Sequence, residues 1–180
     1  MKILSPLENS ARFYLNWIQV RPKITQKFGA EFKKNGHDFY HSLGLRGHNG
    51  LDFSAKIGTP IFAPLGGTVK IGDDGAKGYG KFVKIRSATH KMEIIVAHLS
   101  EIAVENNSEV AAGDRLGATG NSGASTGPHL HLGLRFLLEK NEPVFGWTVQ
   151  NYENGFLGYV DPLEFLVTWK GDFTRCSLAD

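Results

Sequence analysis

Seven histidines stand at positions 37, 41, 48, 90, 98, 129 and 131 of this 180-residue chain. Imidazole is both a metal ligand and a side chain that exchanges protons near neutral pH, so a surplus of histidine directs attention to those two chemistries. His129-Leu130-His131 lies in a run that alternates as a strand does. On a strand, residues i and i+2 share a face with Cα atoms about 6.6 Å apart, so both imidazoles reach one side of a sheet. Alone, such a pair is more often surface or core than metal site. His48-Asn49-Gly50-Leu51-Asp52 adds an imidazole and a carboxylate, both donors that zinc accepts. On a straight strand their Cα atoms would be about 13 Å apart, so Gly50 must supply a bend or bulge if the two are to share an ion. His98 ends the apolar run Ile94-Ile95-Val96-Ala97, where a histidine is ordinarily packed and hydrogen-bonded. Together, four imidazoles and one carboxylate from three segments exceed the needs of a structural site. A zinc held by three protein ligands keeps a position open for water, and the spare histidines could handle protons. Spacing does not decide which of His129 and His131 is the ligand.

The elements that carry these residues read as short strands. Thr68-Val69-Lys70-Ile71, Lys81-Phe82-Val83-Lys84-Ile85 and Met92 to His98 alternate or concentrate apolar residues between turns such as Asp73-Asp74-Gly75. Arg115-Leu116-Gly117-Ala118 and the run from His129 to Phe136 continue the series, which predicts a mainly β, single-domain fold with an antiparallel sheet and few short helices. The segment 119–128 has three glycines and no apolar period, and a loop of that length is often functional. Ala11, Tyr14, Leu15 and Ile18 fall at helical spacing and predict a short helix over 10–20, although its aromatics also suit a strand. Residues 139–158 read as a long excursion off the sheet. Asp161-Pro162-Leu163-Glu164 offers an N-cap, a proline at N1 and a glutamate at N3, predicting a short helix to about Val167. The expected division is a flanking segment 1–23 packed on the core, a domain over 24–168 and a tail over 169–180.

Composition removes several classes. A content of 41% hydrophobic residues over 180 positions can build a core without staples. Cys176, the single cysteine, cannot form an intrachain disulfide and reads as a passive thiol. A net charge of +2 without dense Lys/Arg runs does not describe a nucleic-acid binder. No run of about 18 apolar residues is present to cross a bilayer, so no membrane insertion is expected. Pro6, Glu8 and Asn9 interrupt what would be the apolar part of an export signal, so the expectation is synthesis in the cytoplasm.

The combination of His48-x3-Asp52, His98 in Ala97-His98-Leu99-Ser100, and Ser122-Gly123 leading to Thr126-Gly127-Pro128-His129-Leu130-His131 resembles the M23 (LytM, lysostaphin-like) zinc metallopeptidases. The resemblance covers about residues 24–166, including Gly58-Thr59-Pro60-Ile61-Phe62-Ala63-Pro64, Gly67-Thr68-Val69 and Gly158-Tyr159-Val160-Asp161-Pro162. It implies a grooved antiparallel sheet with the lysostaphin/LytM-like duplicated hybrid motif. The implied activity is zinc-dependent hydrolysis of peptide cross-links or bridges in bacterial peptidoglycan. By the family's pattern one zinc per chain would be held by His48, Asp52 and His131, with His98 and His129 beside the water that the metal activates. Those two histidines take general-base and oxyanion roles jointly.

The segments 36–47 and 120–127 flank the motifs and are expected to wall the cleft, with Tyr40, Tyr79, Asn121 and Ser122 as candidate substrate contacts. His37, His41 and His90 match no motif and read as surface residues, His41 being the first candidate for an exception. The implied partners are peptidoglycan stem and cross-link peptides, with no nucleic acid, and the expected state is a monomer. Without a leader, such an enzyme would act after release, as in phage lysis or on a virion, or would be a secreted enzyme trimmed of its leader. Two positions depart from the pattern: Leu132-Gly133 stands where the family often has an aromatic and an acid, and Val96 where it often has an aromatic.

Two other classes compete. A non-catalytic relative that binds or activates a partner would lack ligands, and all five key residues are present. The Gly67-Thr68-Val69 and Gly113-Asp114 turns also resemble lipoyl-type and phosphotransfer IIA carriers. A lipoyl carrier would present a lysine at a hairpin tip, and a IIA domain would use two histidines without the His48-x3-Asp52 carboxylate.

Overall fold

Apolar alternation between glycine-bounded turns produces a mainly β architecture in the computed structural model, which describes residues 13–14, 23–34, 36–139 and 147–167. In chain order the strands are β1 Phe13–Tyr14, β2 Ile24–Gln26, β3 Lys33–Lys34, β4 His37–Asp38, β5 Leu51–Ser54, β6 Pro60–Phe62, β7 Gly67–Asp73 and β8 Lys81–Ser87. They continue as β9 Met92–Ala97, β10 Leu99–Ile102, β11 Glu109–Val110, β12 Arg115–Thr119, β13 His129–Glu139, β14 Trp147–Val149, β15 Tyr159–Val160 and β16 Leu166–Val167. One short helix, α1 Phe39–Ser42, starts at Asp38, whose carboxylate accepts from the His41 N–H at 3.0 Å. Among the described residues no helix is long and apolar enough to cross a membrane.

The main sheet runs β11-β7-β8-β9-β13-β5-β2, with β14 and β15 also paired to β13, and its ladders are antiparallel. A second sheet, β10-β12-β6, covers one of its faces. The period of two sorts the residues between faces. Leu51, Phe53, Ile94, Val96, Leu130, Leu132 and Leu134 turn inward and pack with Ile61, Leu99 and Leu116 of the second sheet. Their alternating partners Asp52, Ala97, His129 and His131 turn to the opposite face. Each strand that builds the core therefore also presents the cleft, and a slip of one residue would exchange the two.

Three expectations change. Of the helix predicted over 10–20, the described part, Phe13–Tyr14, is a strand parallel to Leu166–Val167, consistent with the strand preference of its aromatics. The remainder, most of the flanking segment 1–23 and the tail 169–180 lie outside the described residues. The excursion over 139–158 is partly sheet, since Glu139 ends β13 and β14 pairs with Leu137–Glu139; residues 140–146 lie outside the described residues, and 150–158 leaves the sheet. The terminal helix starts as expected, with Asp161 accepting from the Leu163 N–H at 2.9 Å, but is a 3-10 turn over Pro162–Phe165 that gives way to β16.

Candidate metal centre

The sheet sets His131 directly opposite Asp52 across the β13/β5 ladder. His48 joins them because the chain bends at Gly50 and because its backbone is tied to the preceding turn. The Gly29 N–H donates to the His48 carbonyl at 2.7 Å, and the His48 N–H donates to the Ala30 carbonyl at 2.9 Å. Gly50 does not take a left-handed φ; its task is close approach. A Cβ there would lie 2.5 Å from Cε1 and 2.8 Å from Nε2 of His131, and against the Leu132 carbonyl oxygen as well.

The result is a near-equilateral triangle of donor atoms. His48 Nε2 lies 3.0 Å from His131 Nδ1 and 3.1 Å from Asp52 Oδ1, and His131 Nδ1 lies 3.0 Å from that oxygen. All three residues are buried. Among the described residues they form the group of ligating side chains gathered within 4.8 Å.

The proton inventory is short. His48 Nδ1 lies 3.0 Å from the Lys27 carbonyl oxygen, which can only accept, so the ring hydrogen sits there and Nε2 offers a lone pair inward. Burial pushes Asp52 up, but the adjoining His131 and His48 rings hold it well below the usual carboxylate range, so it is anionic. Burial pushes His131 down to about 4, leaving it neutral. With Nδ1 turned toward the triangle, its hydrogen sits on Nε2, which is buried with no hydrogen-bond partner. Two imidazole nitrogens and a carboxylate oxygen are a zinc donor set, and their spacing is close to that of ligands about 2.0–2.2 Å from one ion. A cation would relieve the convergence of lone pairs, so the residues fit the metal.

His98 and His129 stand beside this triangle, their ring centres 4.6 Å apart. His98 Nδ1 donates to the Ser122 carbonyl at 2.7 Å, and His129 Nδ1 to the Gly127 carbonyl at 2.8 Å. In its neutral form each ring therefore carries its lone pair on Nε2, and that atom of His129 is 3.5 Å from Asp52 Oδ2. Burial, followed by the neighbouring His129, holds His98 below its ordinary value. His98 also takes φ 62°, a left-handed conformation that costs a non-glycine residue energy and is concentrated at functional sites.

The triangle opens into a cleft of about 570 Å³ lined on one side by α1 and Leu45 and on the other by Gly123, Ala124, Ser125 and Thr126. Tyr40 and Tyr79 both line it. Their ring centres lie 5.5 Å from His48 and 5.3 Å from His131 respectively. Burial raises the pKa of both hydroxyls, which stay protonated, and Asn49 donates to that of Tyr79 at 2.7 Å.

Asn121 and Ser122, expected as substrate contacts, are not in the cleft lining. Ser122 instead anchors the loop: its carbonyl orients His98, while its hydroxyl donates to the Leu99 carbonyl and accepts from the Lys81 N–H. Asn121 accepts from Ser125, whose hydroxyl is 3.1 Å from His129 Nδ1. His37, His41 and His90 are exposed and are not among the residues that line the cleft, although His41 sits on α1, which walls it. The carbonyls of Lys27, Ser122 and Gly127 are the orienting groups missed in sequence, because a carbonyl leaves no trace in residue type. Leu157, which also lines the cleft, carries no motif.

Residues 46–144, more than half of the chain, match peptidase family M23. The DD-carboxypeptidase/endopeptidase Mpg of Neisseria meningitidis is 34% identical over 126 residues, which are 69% of this chain and 28% of that protein. The peptidoglycan DD-endopeptidase ShyA of Vibrio cholerae is 39% identical over 87 residues, 48% of this chain and 20% of ShyA. The chain thus spans less than a third of these curated relatives. Among solved structures, a variant of the catalytic domain of the prophage-encoded M23 protein EnpA from Enterococcus faecalis superposes with a TM-score of 0.51. It is 30% identical and covers 71% of this chain and 87% of that one. With the family match, the buried His-Asp-His triangle and the grooved antiparallel sheet all in agreement, the chain belongs to peptidase family M23.

Proposed function

We propose that this chain is a zinc-dependent endopeptidase domain acting on the peptide cross-links or bridges of bacterial peptidoglycan. The observation that carries the reading is the triangle of inward-facing donor atoms with two further imidazoles beside it, their Nδ1 hydrogens committed to backbone carbonyls. The names of the relatives Mpg and ShyA support the substrate class. On this reading the protein works outside the cytoplasmic membrane, where its substrate lies.

His48, Asp52 and His131 would hold the metal. Zinc, when bound, supplies Lewis acidity toward a peptide carbonyl and toward water. His98 and His129 supply the proton chemistry: a neutral Nε2 accepts the proton of the attacking water, and an imidazolium stabilises the oxyanion or returns the proton to the leaving amine. The Ser122 and Gly127 carbonyls fix both tautomers so that these nitrogens need no reorganisation. Tyr40 and Tyr79, kept protonated, remain donors toward a bound peptide.

The test is mass spectrometry of fragments released from purified peptidoglycan, with and without complete zinc removal. The expected result is new peptide termini that vanish with a chelator and return on adding zinc. Release that persists unchanged without zinc overturns the reading.

A further inference from the structure

The turn over residues 150–158 lies beyond the family match, yet it reaches the cleft. It docks on the strand that follows it and on the segment that leads to His48. The Arg46 N–H donates to the Gly155 carbonyl at 2.9 Å, and the Phe156 ring centre packs 4.6 Å from that of Phe28. Asn154 organises its interior. Its side-chain oxygen accepts from the N–H groups of Phe156 at 2.8 Å and Gly158 at 3.1 Å, and its amide donates to the Tyr159 carbonyl at 2.9 Å.

Between those two N–H groups sits Leu157 at φ 56°. Leucine is poorly suited to a left-handed position, where glycine or asparagine would sit at little cost. The turn nevertheless over-determines it, and Arg135 reaches its carbonyl at 3.5 Å. Its side chain packs on the cluster of Ile95, Ala97 and Tyr159, together with Tyr79, and lines the cleft that holds His131. Ala97 is the ladder partner of His131, so this apolar wall stands next to the metal triangle. A strained residue held by its surroundings at a site is a pointer to function.

We propose that Leu157 is a specificity-determining contact for an alanyl side chain next to the scissile bond, with the turn 150–158 built to present it. The inference rests on the peptidoglycan peptidase reading above. A glycyl residue has nothing to place against Leu157, whereas an alanyl methyl does, and one methyl in an apolar pocket discriminates by about 10–200-fold.

The test uses the zinc-loaded protein and two synthetic cross-linked peptides that differ only in D-alanine or glycine before the scissile bond. The expected result is a kcat/KM preference for the alanyl peptide of about 10–200-fold. That preference should be lost in Leu157→Asn and Leu157→Gly and kept in Leu157→Met. Asparagine and glycine both accept the left-handed backbone, so the turn survives while the methyl contact goes. A wild-type protein indifferent to the methyl overturns the inference. So does a preference that persists in the Asn and Gly variants, or an equal loss on both peptides. Wild-type protein that cleaves neither peptide overturns the underlying peptidase reading, and the inference with it.

Discussion

His131 and Asp52 are cross-strand neighbours in the β13/β5 ladder, and His131 Nδ1 approaches Asp52 Oδ1 to 3.0 Å. Backbone pairing therefore sets two of the three donors before any metal arrives. Substituting Asp52→Asn removes the charge while preserving shape, and His131→Ala removes a donor outright. Both variants should fold, since neither side chain belongs to the apolar core. Bound zinc after dialysis against a weak chelator should drop at least about 10–100-fold, the loss seen even for groups behind the ligands. Elemental analysis of the dialysed protein measures it, and full retention by either variant would remove that residue from the ligand set.

His98→Ala should separate binding from turnover. The residue's hydrogen bond goes to the Ser122 carbonyl and its ring meets the triangle only by an edge contact with His131, so zinc content should match the parent while kcat falls about 10²–10⁴-fold, the usual contribution of a proton-transfer group. Substitution also relieves little strain, because alanine at φ 62° remains unfavourable. Zinc-free His98→Ala protein would assign the residue to metal binding.

The pH profile follows from the direction of the His98 shift. Burial and His129 disfavour its charged form, so the neutral base persists below its ordinary value of 6.5. Activity should therefore fall as pH drops through a midpoint lower than 6.5. His98→Gln should abolish that limb in whatever activity remains. The measurement is kcat/KM against pH with zinc content followed in parallel. A midpoint above 6.5 at constant zinc content would contradict the assignment.

Much of this was legible in the chain. The period of two placed His129 and His131 on one face, and the glycine between His48 and Asp52 marked where the strand must bend. Spacing could not choose between His129 and His131, because that choice depends on the neighbour across the ladder. His131 faces Asp52 and Ala97, whereas His129 faces Ser54 beyond the end of β9. Ser122 was expected among the substrate contacts because its loop flanks the motifs. Its side chain is instead consumed by Leu99 and Lys81, a tertiary contact with no local signature. Residues 139–158 read as a long excursion off the sheet, and only the docking of 150–158 against Phe28 and Arg46 reveals that stretch as part of the cleft.

Gly50 was expected to matter through backbone freedom, and the structure assigns it a steric role. In Gly50→Ala the new methyl group would meet the His131 ring at 2.5–2.8 Å and the Leu132 carbonyl. The carbonyl belongs to the sheet and cannot yield, so the ring must turn. The expected cost is about 1–3 kcal/mol of stability, together with weaker zinc binding. Thermal melts with and without zinc should show a smaller metal-induced rise in Tm than the parent. An undiminished rise would mean that the ring has room to spare.

Close packing accounts for the glycine at position 133. A Cβ at this position would lie 2.8 Å from both Ile95 Cγ2 and the Tyr159 ring, which fill the space a larger side chain would take. The two positions should be energetically coupled. Gly133→Ala should destabilise by about 1–3 kcal/mol through overpacking. Tyr159→Leu, though costly alone, should reduce that penalty when combined, giving a coupling of about 0.5–3 kcal/mol in a double-mutant cycle. Because Leu157 packs on the same Tyr159 cluster, Gly133→Ala should also disturb peptide preference while zinc content stays constant. Additive stability effects would show that Tyr159 yields freely, leaving the glycine without a packing reason.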